Sequence, residues 1–258
     1  MRFRKIAAVV GAVAVMGVSV VGASASPVAV AAKPTVVLVH GAFADGSSWN
    51  GVIERLQRDG YDVVAPAVPL RELASDSAYV ADVVRSVGGP VVLVGHSYGG
   101  AVISQVAAQV PGVKALVYAA AFIPVAGESL GQLNAQFPGS LLGPDTTRTV
   151  GGDLYVKKES FRAVFAGDRS ARDAAVMAAA QRPVVGAVLG EAAAATAPAS
   201  VPDYAIVATE DKAIPADAER FMARRAGAWT VEVRSAHDLP VSHPEVVASV
   251  IEKAARGR

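Results

Sequence analysis

Two periodicities alternate along this chain. Short runs rich in valine and other strand formers recur near residues 35–40, 61–65, 90–95, 113–119, 203–209 and 229–233, and their length and β-branched content predict strands. Between them, apolar residues at three- and four-residue spacing predict helices over about 48–58, 76–87, 98–109, 215–225 and 244–255. Strands alternating with helices imply an α/β fold, a mostly parallel six-stranded doubly wound sheet with right-handed crossovers. In such a sheet the loops at the strand C-termini carry the site.

The interval from about 124 to 200 breaks this rhythm, being too long for a simple crossover. It has helical patterns of its own around Ser160–Phe165 and Arg172–Ala180, and reads as an inserted helical lid. Residues 191–200 are alanine-rich and of low complexity, which leaves open a loosely packed excursion in place of an ordered part of the lid.

The first 25 residues have the order of a secretory leader. Arg2, Arg4 and Lys5 precede an apolar stretch from Ile6 to Val21, and Ala23-Ser24-Ala25 forms a small-residue cleavage site, with Ala29-Val30-Ala31 as a second. The apolar stretch carries Gly11 and Gly17 and is short for a membrane span, so a secreted protein without a stable membrane anchor is expected. Residues 26–34 then read as a tether to a single domain over 35–258. Removing the leader takes the formal charge from +1 to −2, which offers nothing to nucleic acid. The chain has no cysteine, so disulfides and thiolate metal sites are excluded and packing alone must hold the core.

The chemistry begins at residues 91–100, Val-Val-Leu-Val-Gly-His-Ser-Tyr-Gly-Gly, where an apolar run breaks into a glycine-flanked serine and then a helical pattern. This is the pattern of a nucleophile elbow, a tight strand-to-helix turn that lifts a hydroxyl clear of the backbone and tolerates only small neighbours. A phosphate cradle is the competing reading, but no Walker lysine follows and the glycine spacing differs. Ser97 is therefore the candidate nucleophile.

A serine needs a base, and the base needs a carboxylate to hold its tautomer. Of the four histidines, His40 ends the first strand and His96 sits inside the elbow, both with architectural positions. His237 follows the last strand, where the order serine, acid, histidine places the base. His243 competes, although Ser242-His243-Pro244-Glu245 also reads as a capping box with proline in the first turn. The acid should follow the strand ending near Thr209, where Glu210 and Asp211 are adjacent; Asp211 is preferred, with pairing to Lys212 or a helix cap as its structural alternatives. Backbone N–H groups of Ala42 and Tyr98 are the candidate oxyanion donors. Phe43, Tyr98 and Phe122, with Phe137, Phe161 and Phe165 of the lid, are candidates for an apolar wall around substrate.

These residues resemble the α/β-hydrolase superfamily over almost all of the chain after the leader. Within it, His40-Gly41-Ala42-Phe43 with Ser48-Trp49, and Thr209-Glu210-Asp211-Lys212-Ala213-Ile214-Pro215, are similar to the small branch of plant hydroxynitrile lyases and methylesterases. The resemblance implies a base at His237 and a non-catalytic His243. Hydroxynitrile lyases carry a threonine and a lysine where this chain has Gly41 and Asp238, and without the lysine a leaving cyanide loses its charge partner. The expectation is thus a serine esterase acting on small-molecule esters without metal or organic cofactor. A lyase or perhydrolase on the same scaffold, and an exported binding module with a vestigial serine, are the alternatives.

Overall fold

A strand covered on both faces can be apolar at every position, and β3 is the clearest case here. The computed structural model describes residues 32–257 and positions 7, 8, 11 and 12, so the expected leader over 1–25 and most of the tether lie outside the described residues. From Lys33 onward the chain forms one unit. Its elements are β1 (Thr35–Val39), a 3₁₀ turn (Gly46–Trp49) running into α1 (Asn50–Arg58), β2 (Val63–Val64), α2 (Leu73–Val87), β3 (Val91–Ser97), α3 (Tyr98–Gln109) and β4 (Val113–Ala121). An insertion follows with α4 (Leu130–Ala135), β5 (Thr147–Val150), β6 (Asp153–Val156), α5 (Lys158–Val164), α6 (Ala171–Ala180) and β7 (Val184–Val185). The chain returns through β8 (Asp203–Ala208), α7 (Ala216–Ala226), β9 (Trp229–Val233), α8 (Leu239–Ser242) and α9 (Pro244–Ala255).

The main sheet runs in the order β2-β1-β3-β4-β8-β9, with every neighbouring pair parallel. Pleating divides its side chains between two cores. Val37, Val39 and Leu93 pack with α2, α3, α7 and the insertion, whereas Val36, Leu38, Val92 and Val94 pack with Trp49, Val52 and Leu56 on one side of the chain and Val247 and Ile251 of α9 on the other. Burial on both faces is what the unbroken valine runs encode.

Several boundaries differ from expectation for local reasons. β2 is two residues long, because Pro66 follows one residue beyond its end and cannot donate to a ladder. α2 begins at Leu73, where the Asp76 carboxylate accepts the Arg71 N–H just outside the first turn. The insertion is not purely helical: β5, β6 and β7 form a second, antiparallel sheet. Its hairpin turns at Gly151-Gly152, both at positive φ (56° and 90°), which two-residue hairpin turns require. The alanine-rich stretch is tied down, since the Gln105 amide exchanges two hydrogen bonds with the Ala195 backbone and the Glu191 carboxylate accepts the Leu73 N–H. The capping box at Ser242 does not form. His243 is the N-cap of α9, and the Ser242 hydroxyl lies 3.0 Å from that of Ser235. Among the described residues no helix is long and apolar enough to cross a membrane.

Candidate active site

β3 ends on Ser97, whose backbone takes φ 53° and ψ −122° before α3 begins at Tyr98. Such a conformation is disfavoured for a side chain with a Cβ, and close packing on all sides holds it. A Cβ on Gly95 would lie 2.5 Å from the Gly99 carbonyl oxygen, and one on Gly99 would lie 2.2 Å from that of Val39. The glycines are thus required by backbone approach, and the turn aims the Ser97 hydroxyl at the loop after β9.

That loop brings the His237 ring to it. His237 Nε2 is 2.9 Å from Ser97 Oγ, and Nδ1 is 2.5 Å from Asp211 Oδ2. The network assigns the proton to Nδ1, facing the carboxylate, which leaves Nε2 to accept from the serine hydroxyl. Asp211 is itself held: its Oδ1 accepts the N–H groups of Ala213 (2.7 Å) and Ile214 (2.8 Å). Asp211 does not cap α7, whose N-cap is Pro215 without a side-chain bond; one of its oxygens holds the turn before α7 and the other fixes the imidazole. Adjacent Glu210 faces outward and accepts from Arg234.

The other histidines brace this arrangement. His96 Nε2 donates to the His237 carbonyl at 2.8 Å, and the two rings lie 4.8 Å apart. Burial, with the neighbouring His237, holds His96 well below the ordinary imidazole range, so it stays neutral. His40 Nε2 accepts the Val68 N–H and its Nδ1 donates to the Gly41 carbonyl, both at 3.0 Å, which shapes the loop after β1. His243 is half-exposed at the start of α9, 3.6 Å from the Glu245 carboxylate.

The loop after β1 lies against the elbow, since a Cβ on Gly41 would sit 2.6 Å from Ser97 Cβ. Ala42, Phe43, Ser97, Tyr98, Phe122 and His237 line one cavity of about 50 Å³. Tyr98 opens α3, so its N–H has no partner in the helix. Its ring points away, and the hydroxyl donates to the buried Asp76 carboxylate at 2.7 Å.

The lid phenylalanines fall in three places. Phe165 packs edge-on against His237 at 4.8 Å and borders a separate cavity of about 140 Å³ with Phe43, His96 and Met177. Phe161 is core behind it, and Phe137 sits on the outer groove against Phe221. The insertion instead supplies Leu130, Asn134, Leu142 and Leu189 to the cavity around Ser97, and β8's loop supplies Ile214. Isolated leucines in an apolar chain read as core, so no sequence signal separated these from packing residues.

One cluster had no sequence signal either. Asp168, in the insertion, accepts from the Ser235 hydroxyl and the Ala236 N–H at 3.1 and 3.0 Å, pinning the histidine loop. Burial pushes Asp168 up, but these donors outweigh it and its carboxyl stays below the usual range. Asp238 faces it and is pushed up to about 8, first by burial and then by the Asp168 charge. The residue after His237 therefore carries a proton at neutral pH and no positive charge.

A profile of the alpha/beta hydrolase family matches residues 36–250. The alpha/beta hydrolase nvfD of Aspergillus novofumigatus is 28% identical over 256 residues, covering 86% of this chain and 97% of its own. A carbendazim hydrolyzing esterase of a Nocardioides species is 37% identical over 107 residues, which is 36% of this chain and 44% of that protein. A methylesterase from Arabidopsis has the same fold, with a TM-score of 0.72 at 15% identity over 87% of this chain and all (100%) of that one.

Proposed function

This chain belongs to the alpha/beta hydrolase family, and on that premise we propose that it cleaves carboxylic esters through an acyl-enzyme on Ser97. The observation that carries the reading is the continuous contact Ser97 Oγ to His237 Nε2, and His237 Nδ1 to Asp211, in a cavity walled by apolar side chains. Ser97 Oγ adds to the ester carbonyl as Nε2 takes its proton, and Asp211 stabilises the imidazolium that forms. The carbonyl oxygen gains negative charge opposite the N–H groups of Ala42 and Tyr98. The tetrahedral adduct collapses, the C–O bond to the alcohol breaks, and the alcohol leaves with the proton from Nε2. Water then repeats the sequence on the acyl group and restores the serine. The esterase among the relatives supports this chemistry, and an aspartate in place of a lysine directly after His237 weighs against cyanide release. The leader pattern supports export.

A fluorophosphonate probe tests the reading. Wild type should label in a stoichiometric, time-dependent manner and turn over p-nitrophenyl esters, and Ser97→Ala should do neither while melting near the wild-type temperature. A folded wild type that stays unlabelled, or a Ser97→Ala variant that still hydrolyses esters, overturns it.

A further inference from the structure

The acid of the proposed triad has a second carboxyl group beside it. Glu219, on the inner face of α7, is 3% exposed, and its Oε2 accepts the N–H of Ala208, the last residue of β8 before the loop that carries Asp211. Its other oxygen, Oε1, is buried without an N–H or hydroxyl donor, and the carboxyl stands within hydrogen-bonding reach of Asp211. Asp211 has one oxygen occupied by the Ala213 and Ile214 N–H groups and the other by His237. Two ionised carboxylates in contact inside a protein repel strongly, so one of them must hold a proton.

Resting on the esterase reading, we infer that Glu219 is a positioning residue that stays un-ionised and donates its carboxyl proton to Asp211. The surroundings decide which of the two holds the proton. Asp211 receives two backbone donors and faces an imidazole, all of which favour its charge. Glu219 receives one backbone donor, from Ala208. Burial first, and then the Asp211 charge, push its carboxyl well above the ordinary range; Arg220, turned outward to Asp217 and Glu232, opposes this only weakly from a distance. The hydrogen-bonded pair joins α7 to the acid loop and spreads part of the Asp211 charge onto a neutral donor. The imidazolium that forms on His237 then faces a carboxylate whose charge is shared with a neutral donor. No proton transfers from Glu219 during turnover.

Two substitutions separate this from a space-filling role. Glu219→Gln keeps a neutral donor of the same shape, whereas Glu219→Leu keeps volume and removes the donor. Glu219→Gln should hold kcat/KM within about 3-fold of wild type with the acid limb of its pH profile in place; Glu219→Leu should lower kcat about 10-fold or more at similar KM and move that limb upward. Infrared difference spectra of wild type minus Glu219→Gln at neutral pH should show the carbonyl band of an un-ionised carboxylic acid, and this holds even if the leucine variant does not fold. An acid limb that falls in Glu219→Gln, an absent carboxylic-acid band, or equal kinetics in both variants overturns the inference. If wild type is unlabelled by fluorophosphonate, the esterase reading fails instead, while the infrared result still reports on the proton.

Discussion

The four histidines differ in what each ring nitrogen reaches. His40 spends both on backbone groups; His96 spends Nε2 on the His237 carbonyl and its Nδ1 is buried without a partner, and neither ring is hydrogen-bonded to Ser97. His237 joins an acid and a hydroxyl through its two nitrogens, and His243 meets only the edge of α9 and Glu245. His237→Ala should therefore lower kcat/KM by about 10³-fold or more, and His243→Ala should leave the rate within about 2-fold, with a melting temperature at most a few degrees lower. Ester kinetics and thermal melts on the two variants check this, and the opposite pattern would reassign the base. Asp211 was preferred over adjacent Glu210 from the sequence, with a structural role for either carboxylate left open. The direction in which the chain leaves β8 decided between them, turning Glu210 to Arg234 at the surface and Asp211 inward.

Between elements, the insertion meets the histidine loop where two carboxyls interact. Asp168 follows α5, Asp238 opens α8, and their carboxyls face each other beneath Ser235 and Ala236. Asp238 titrates near 8 in the folded chain and near its ordinary value of about 4 when unfolded. The folded state thus holds a proton that the unfolded state has released, and this group's contribution to stability is full below about pH 4 and falls as pH rises to about 8. Asp238→Asn keeps a neutral donor towards Asp168 and cannot ionise. Its melting temperature relative to wild type should climb by about ten degrees between pH 5 and pH 9, in the range that roughly 4 kcal/mol produces in a domain of this size. Melting curves that shift in parallel across this range would show that Asp238 does not carry the proton. The small antiparallel sheet belongs to the same scale: Gly151-Gly152 between alternating residues is a hairpin signal, outweighed in a sequence reading by the stronger helical patterns around it.

For the whole molecule, the proposed export assigns the charge pattern at the N-terminus and the architecture from Lys33 onward to different stages of the protein's life. Export with cleavage after Ala25 should leave Ser26 as the first residue, and cleavage at the second small-residue site should leave Ala32. Intact-mass measurement of protein recovered from the medium distinguishes these outcomes, and an uncleaved, cell-retained chain would remove the export reading. The sequence alone determined the alternation of strands and helices, the strand-to-helix glycine turn and the elbow serine, because each depends on residues near one another along the chain: periodicity, β-branching, and the lack of a Cβ where backbones nearly touch. Only the tertiary structure decided how the preferred carboxylate, Asp211, was turned inward to His237, which side chains of the insertion reached the cavity, and that Glu219, Asp168 and Asp238 stand beside the site. Those contacts join positions such as 168 and 236, or 97 and 237, whose spacing carries no periodic signal. They exist because a parallel sheet delivers its strand ends to one edge, where residues distant in the chain share a single buried space.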